Sequence, residues 1–547
     1  MWKLLKRERK KSMSKFLKYY NTLKYLKPTQ IEYRLYYLLR NKYRKITNFS
    51  YPLSLPRESA DIKLKPSIPS LQSFRKEGKR KCFEFLNLKE CFEKIDWNFE
   101  KFGKLWAYNL NYFNYLEQKE MDKEEGIKLI KEFIENIKEN EEGLEPYPIS
   151  LRGINWIKFL SKHSIKDKTV INSLYAQYKI LADNLEYHVL GNHILENGFS
   201  LLFGGYYFND EELYEKGKEI IKAELEEEIL PDGAHFELSP MYHQLILFRT
   251  LDSLNLVQNN DLFGKELEEI LQDKASLMLG WLNRITFRNG NIPLFNDSTN
   301  KIAPTTKELN EYAESLGVKE RKTSLKESGY RKFENDLYEL IADVGNIGPD
   351  YIPGHAHSDT FNFELYVNEK PFIVDTGVST YENNERRFIE RSTYSHNTVK
   401  IGNYEQSEVW SSFRVANRAK IVSLKESENE VEATHNGYEK IGFLHTRAFR
   451  AEKNEIVMED KISKIEGEKD KDIEKTAFLH FHPSVSVTVL NDTVKTNMGE
   501  IKIKGAEKIE IDDFYYAPEY NRLKRSKMVK IKFKDNCKYI FTFVTKS

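Results

Sequence analysis

Cysteine is nearly absent from this chain of 547 residues: Cys82, Cys91 and Cys537 are all it has. The count is odd and no CxxC spacing occurs, so neither a disulfide framework nor a thiolate metal site is expected. Long apolar runs are missing as well. Trp2, Leu4 and Leu5 are followed at once by Lys6, Arg7 and Glu8, which leaves no apolar core of signal-peptide length. No stretch reaches the roughly 20 apolar residues of a membrane-spanning helix. A cytoplasmic chain is the plain expectation, although a trimmed periplasmic or secreted chain would read the same. Net charge is also lacking. Lys and Arg number 85 against 84 Asp and Glu, so total charge predicts no partner, and nucleic-acid binding is not expected. No internal repeat and no long low-complexity linker interrupts the chain.

What is present suffices for two cores. Hydrophobic residues make up 40% of the chain and aromatics 13%, and the length exceeds one ordinary domain. Charge is unevenly spread: residues 1–45 hold 15 Lys and Arg against Glu8 and Glu32. Such an arm suits anionic lipid or an acidic glycan, and equally a solvated surface helix. Apolar residues then recur at helical spacing, as in Ile127, Ile130, Ile134 and Ile137. After about residue 327 the period becomes two, as in Val485/Val487/Val489 and Val529/Ile531/Phe533, which predicts β-sheet. The expected division is a basic helical arm and lead-in over 1–95, a helical domain over 96–326 and a β domain over 327–547.

Loops between the predicted helices are rich in Asn, Tyr and Trp: LWAYNLNYFNYL (105–116), EPYPISLRGINW (145–156), GNHILENG (191–198) and GNIPLFNDST (290–299). Flat sugar faces suit aromatic rings and sugar hydroxyls suit amides. Trp106, Tyr108, Asn109, Arg152 and Trp156 are therefore candidate substrate contacts, against the alternative of interhelix packing. The densest chemical cluster is GHAHSDTFNFELYVNEKPFIVDTGV (354–378) followed by RSTYSHNTV (391–399). His355 and His357 would share one face of an extended strand. Asp375 sits in an apolar run, where a lone carboxylate is costly, and His396 follows. Two histidines and an aspartate suit a divalent ion, Zn²⁺ first, with Mn²⁺ or Ca²⁺ as alternatives. The alternative is a hydrogen-bonded network. His480 and His482 form a second HxH pair without a carboxylate in an apolar run nearby, and are read as structural.

GNHILENGFSLLFGGYYF (191–208), DGAHFELSPMYH (232–243), GHAHSDTFNFEL (354–365) and SHNTV (395–399) resemble, in order, signature segments of the heparinase II/III-like polysaccharide lyases and related alginate lyases. The resemblance runs over about residues 100–420. It implies an α+β multidomain fold: an N-terminal (α/α) toroid followed by a C-terminal antiparallel β-sandwich, with the cleft between them. It implies β-elimination at a uronate of an acidic polysaccharide, with chondroitin, hyaluronan or heparan sulfate leading and alginate or a capsule polymer as alternatives. Asn192 matches the residue that neutralises the uronate carboxylate, His193 its helper, Tyr242 the catalytic tyrosine and His355 the catalytic histidine. His357, Asp375 and His396 match the metal ligands. The implied arrangement leaves room for a sugar ring between Tyr242 and His355, which would then act on opposite ring faces. Some relatives carry an arginine after the tyrosine or after the metal aspartate. Here Gln244 and Ile246 follow the first and Ser379, Thr380 and Tyr381 the second, so Arg386, Arg387 and Arg391 are candidate replacements, and Tyr381 and Arg391 rank as substrate contacts. The rival readings are a glycan hydrolase, for which Glu196 and Glu237 are the carboxylates to nominate, and a non-catalytic glycan-binding protein. Glu196 and Glu237 also rank as substrate contacts.

Overall fold

The computed structural model describes residues 17–467 and 472–544. Helices fill the first part of the described chain from Pro28–Ile46 to Thr306–Ser315, and antiparallel strands dominate from Tyr330 onward. An exception is a small three-stranded sheet, Phe74–Glu77, Arg80–Phe85 and Leu88–Phe92, ahead of the helical domain proper. Its second and third strands place Cys82 opposite Cys91, and the two are joined in a disulfide. This corrects the expectation of unpaired thiols: two cysteines nine residues apart gave no motif, and only the hairpin register brings them together. Cys537 remains free and buried.

The helical core is continuous, from Trp97 and Trp106 through Phe199, Leu251 and Trp281. Trp106, Trp156 and Arg152 belong to this core and not to a sugar-binding surface. Trp106 is fully buried and donates its indole N–H to Leu88 O at 3.0 Å. Trp156 is fully buried against Phe113 and Phe133. The Arg152 guanidinium is spent on Gln177 Oε1, Asn111 O and Gly143 O. An aromatic-rich loop and an aromatic-rich helix start have the same composition, and here the helix Pro146–Lys162 claims both Arg152 and Trp156.

In the β domain a four-stranded sheet, Tyr330–Glu334, Tyr338–Asp343, Phe363–Val367 and Lys370–Ile373, stands beside a ten-stranded one. The two middle strands of the smaller sheet are buried along their whole length. Alternation explains why. Leu340, Ala342, Phe363 and Leu365 join the core shared with the large sheet, whereas Ile341 and Tyr366 join the helical core. Tyr366 stacks on Phe287 of the helical domain with centroids 3.7 Å apart. This sheet is thus the mortar between the domains, and it fixes the loops that leave its strands relative to the helices.

Candidate active site

A cleft of about 1350 Å³ runs between the helical and β domains. Asn192, His193, Glu196, Glu237, Tyr242, His355 and Tyr381 line it, as do Tyr108 and Asn109. Residues 113 positions apart in sequence therefore meet at one surface.

Local structure aims each group. Asn192 opens the helix Asn192–Phe208, preceded by Gly191 at φ +60°. A Cβ at Gly191 would sit 2.9 Å from Glu237 Oε1 and from Ile352 Cδ1, so glycine is required both by conformation and by space. Tyr242 lies in the first turn of Pro240–Asn259, where Pro240 takes the N-terminal position and Ser239 Oγ caps the Tyr242 N–H at 3.3 Å. Ser239 Oγ also donates to Asp297 O. That ties the tyrosine helix to the loop 296–298, which in turn grips the HxH segment. Asp297 N–H donates to His355 O at 3.1 Å, and Asn296 Oδ1 accepts from His357 N–H at 3.0 Å.

The Asp297 carboxylate is the hub, and it was missed in the sequence. It is buried, which raises the cost of its charge, yet the Arg387 guanidinium and hydrogen bonds from His355 and His357 hold it well below the usual carboxylate range. Arg387 reaches both of its oxygens, with Nη2 at 2.7 Å from Oδ2. An ionised carboxylate only accepts. His355 Nδ1, 2.9 Å from Oδ2, and His357 Nε2, 2.8 Å from Oδ1, must therefore be the donors. In a neutral ring this leaves His355 Nε2 with a free lone pair, 3.5 Å from Glu237 Oε2, and His357 Nδ1 bare. The signal that could have found Asp297 was the carboxylate in GNIPLFNDST, a segment already singled out for its amides and aromatics.

Tyr242 and His355 do not flank a gap. Their rings stack with centroids 3.9 Å apart, so no sugar ring fits between them, contrary to the expectation of attack from opposite faces. Both line the same cleft. Burial pushes the Tyr242 phenol well above its ordinary value, with Tyr520, Asp297 and Glu237 acting in the same direction against the Tyr381 hydrogen bond. The phenol is thus a proton donor at rest. Its Oη lies 3.3 Å from Tyr381 Oη.

On the other wall the Asn192 amide lies 3.4 Å from Glu237 Oε2, and His193 Nδ1 lies 2.9 Å from Glu186 Oε1. Burial opposes a charge on His193, but Glu186 outweighs it and raises the histidine above its ordinary value. An amide donor beside an imidazole whose charge Glu186 favours suits an anionic group. Glu196 faces Arg249 at 3.4 Å.

The arginines nominated near the cleft are all engaged elsewhere. Arg386 bonds Glu390 and Tyr515 O, Arg387 bonds Asp297 and Ser412 O, and Arg391 bonds Ala356 O and Ser411 O. Arg391 is buried and is corrected from a substrate contact to a brace of the HxH loop. The suggested metal ligands are close but not gathered. His396 Nδ1 lies 2.7 Å from Asp375 Oδ2, and the rings of His357 and His396 are 5.3 Å apart. Asp375 also accepts from Asn362 and from Gly377 N–H. Among the described residues, the group whose ligand atoms fall within 4.8 Å of one another is Glu77, Cys82 and Cys91, and its two sulfurs are bonded to each other. The donor chemistry nevertheless fits an ion: His357 Nδ1, His396 Nε2 and Asp359 Oδ2 are buried without a hydrogen-bond partner. His480 is buried against Phe514, with Nδ1 3.2 Å from Asn397 Oδ1.

Two family models match the chain, Heparinase II/III N-terminus over residues 149–321 and Heparinase II/III-like, C-terminal over residues 317–542. The chain belongs to the heparinase II/III-like family. Its relatives include a heparin-sulfate lyase of Bacteroides thetaiotaomicron, 24% identical over 302 residues, which are 47% of this chain and 42% of that protein. A heparin-sulfate lyase of Pedobacter heparinus is 26% identical over 262 residues, 43% of this chain and 39% of that protein. The aligned stretches thus span less than half of these relatives. A solved structure of heparinase III shares the fold at TM-score 0.64 and 18% identity, covering 83% of this chain and 80% of that one.

The His193–Glu186 pair gives a testable sign. A histidine raised by a partner contributes stability that is present below its unfolded pKa and lost as pH rises through the folded value. In nitrogen-15 NMR His193 should titrate above an ordinary histidine, and Glu186→Gln should bring it below, since burial then dominates. An unchanged midpoint in that variant would show that Glu186 does not set the charge.

Proposed function

We propose that this protein is a polysaccharide lyase that cleaves a uronate-containing, glycosaminoglycan-like polymer by β-elimination. The observation that carries the reading is the meeting in one cleft of a phenol that burial keeps protonated, an imidazole held at Nδ1 by Asp297, and an amide beside a histidine whose charge Glu186 favours. Family membership supports it, as do the lyase names of the relatives.

The reaction removes the C5 hydrogen of a uronate and breaks the C4–O bond to the next sugar. The neighbouring carboxylate is negative already, so negative charge developing beside it must be offset. Asn192 and His193 face that carboxylate, and donors placed in advance act most strongly where charge grows. His355 Nε2 takes the C5 proton, oriented by Asp297 at Nδ1. The C–H electron pair becomes the C4–C5 double bond as the C4–O bond breaks. Tyr242 Oη gives its proton to the departing oxygen, and the proton on His355 returns to the phenolate through solvent. With the two rings stacked against each other, both groups reach the sugar from one side in this reading, which favours a uronate whose C5 hydrogen and C4 oxygen share a ring face. β-D-glucuronate meets that condition and α-L-iduronate does not. Tyr381 holds the phenol, and Tyr108 and Asn109 extend the wall along the chain. A hydrolase would need two free carboxylates, but Glu196 faces Arg249 and Glu237 stands between Asn192 and His355.

A divalent ion, Zn²⁺ in the first instance, is part of the proposal. His357, His396 and Asp375 would hold it, with the Asp359 carboxylate beside them. Bound, it supplies a cross-link between loops and leaves the proton transfers to the side chains. The bare nitrogens support this, and His357 gives its other nitrogen to Asp297, the arrangement that orients a metal-binding imidazole. Protein purified without chelator should contain stoichiometric metal by mass spectrometry, and His396→Ala should lose it. Metal-free wild type that rejects added Zn²⁺, Mn²⁺ and Ca²⁺ would remove the ion from the account.

Activity is tested by absorbance. A lyase leaves an unsaturated, ultraviolet-absorbing uronate, and unsulfated glucuronate polymers should give it. Tyr242→Phe deletes one hydroxyl and should keep the fold while lowering turnover by about 10²–10⁴-fold, the usual worth of a proton-transfer group. Chain cleavage without absorbance would point to hydrolysis, and full turnover in the phenylalanine variant would remove Tyr242 from the mechanism.

A further inference from the structure

The helix Pro28–Ile46 is amphipathic the wrong way round for a core helix. Its inner side is polar. Gln30 is buried and donates to Val189 O, Tyr37 Oη donates to Leu185 O, and Arg40 and Arg44 bond the end of helix Lys168–Asp183, with Arg44 Nη2 2.6 Å from Asp183 Oδ2. Positions 30, 33, 37, 40 and 44 form that side at helical spacing. The opposite side carries Ile31, Leu35, Leu38, Leu39 and Ile46, again at spacings of three and four. These side chains face outward: Leu35 is 57% exposed, Leu39 64% and Ile46 73%. Lys42 lies within this stripe and Lys45 at its edge, and neither has an ion-pair partner among the described residues. Tyr36 and Tyr43 border the other edge and are exposed. Glu32 is the single acidic residue of the helix.

We propose that this face lies on the surface of an anionic lipid bilayer, holding the cleft beside the membrane. A helix whose apolar stripe is flanked by lysines and tyrosines seats the stripe at the acyl boundary, the tyrosines at headgroup level and the ammonium groups among lipid phosphates. The docking side of the helix uses its polar groups to grip the protein, so the apolar side is left for another phase. Charge selects lipid over a second copy. Residues 1–45 hold 15 Lys and Arg against two acids, and two such arms face to face would repel, whereas anionic lipid attracts each of them. No helix among the described residues is long and apolar enough to cross a membrane, so the contact is interfacial.

The test is co-sedimentation of the full chain with vesicles of phosphatidylcholine containing phosphatidylglycerol, and with vesicles of phosphatidylcholine alone. Binding is expected to the anionic vesicles only. The variants are Leu35→Glu with Leu39→Glu, and Lys42→Glu with Lys45→Glu. Each pair is exposed and outside the cleft, so turnover on soluble polymer should stay at the wild-type level while vesicle affinity falls about tenfold or more. Three results overturn the proposal. The first is wild type left in the supernatant with both vesicles. The second is a leucine variant that binds as wild type does, which would reduce the effect to loose attraction by the basic segment. The third is a wild-type dimer in sedimentation velocity that the leucine variant dissolves, which would make a second copy the occupant.

Discussion

A carboxylate without access to water needs its charge answered from its surroundings, and Asp297 is answered entirely from across the domain junction. It sits in a loop of the helical domain, while Arg387, His355 and His357 come from the β domain. Removing one partner from a buried charge cluster of this kind costs about 3–5 kcal/mol. The same interaction therefore joins the domains and, in the proposed reaction, orients the base. With Asp297 ionised, a neutral His355 ring has one tautomer available, with its bare nitrogen 3.5 Å from Glu237 Oε2. His357 is held in the same way, and its Nδ1 is buried without a hydrogen-bond partner.

The arrangement explains why the site can be built from distant segments. The Ser239 cap joins the Tyr242 helix to the Asp297 loop, and the Asp297 loop joins the HxH segment through backbone and side chain alike. The two middle strands of the four-stranded sheet, buried on both faces, fix the β-domain loops relative to the helices. Tyr242 and His355 can then stack across the junction without either being tethered to the other.

Much of this was legible in the sequence because it depends on period and on local motif. The switch from a helical to an alternating pattern, the glycine before Asn192 and the clustered histidines all rest on near neighbours. What was not legible depends on partners far along the chain. Asp297 reads as an ordinary loop aspartate until His355, His357 and Arg387 surround it. Arg152, Arg387 and Arg391 read as ligands for an acidic polymer, yet each is consumed by carbonyls or by a carboxylate more than twenty positions away in at least one contact. Trp106 and Trp156 are common to sugar platforms and to helical cores, and composition does not separate the two. Cys82 and Cys91 needed the hairpin register to meet. The outward Leu and Ile of Pro28–Ile46 were invisible as a face, because only docking shows which side of an amphipathic helix turns inward.

The central claim is that Asp297 fixes the protonation of His355 before substrate arrives. Nitrogen-15 chemical shifts of the His355 ring in the unliganded wild-type protein test it directly. With the ring neutral, the account predicts a proton on Nδ1 and a bare Nε2. A neutral ring protonated on Nε2 would contradict it, because the base proposed for the reaction would then have no lone pair directed at the cleft.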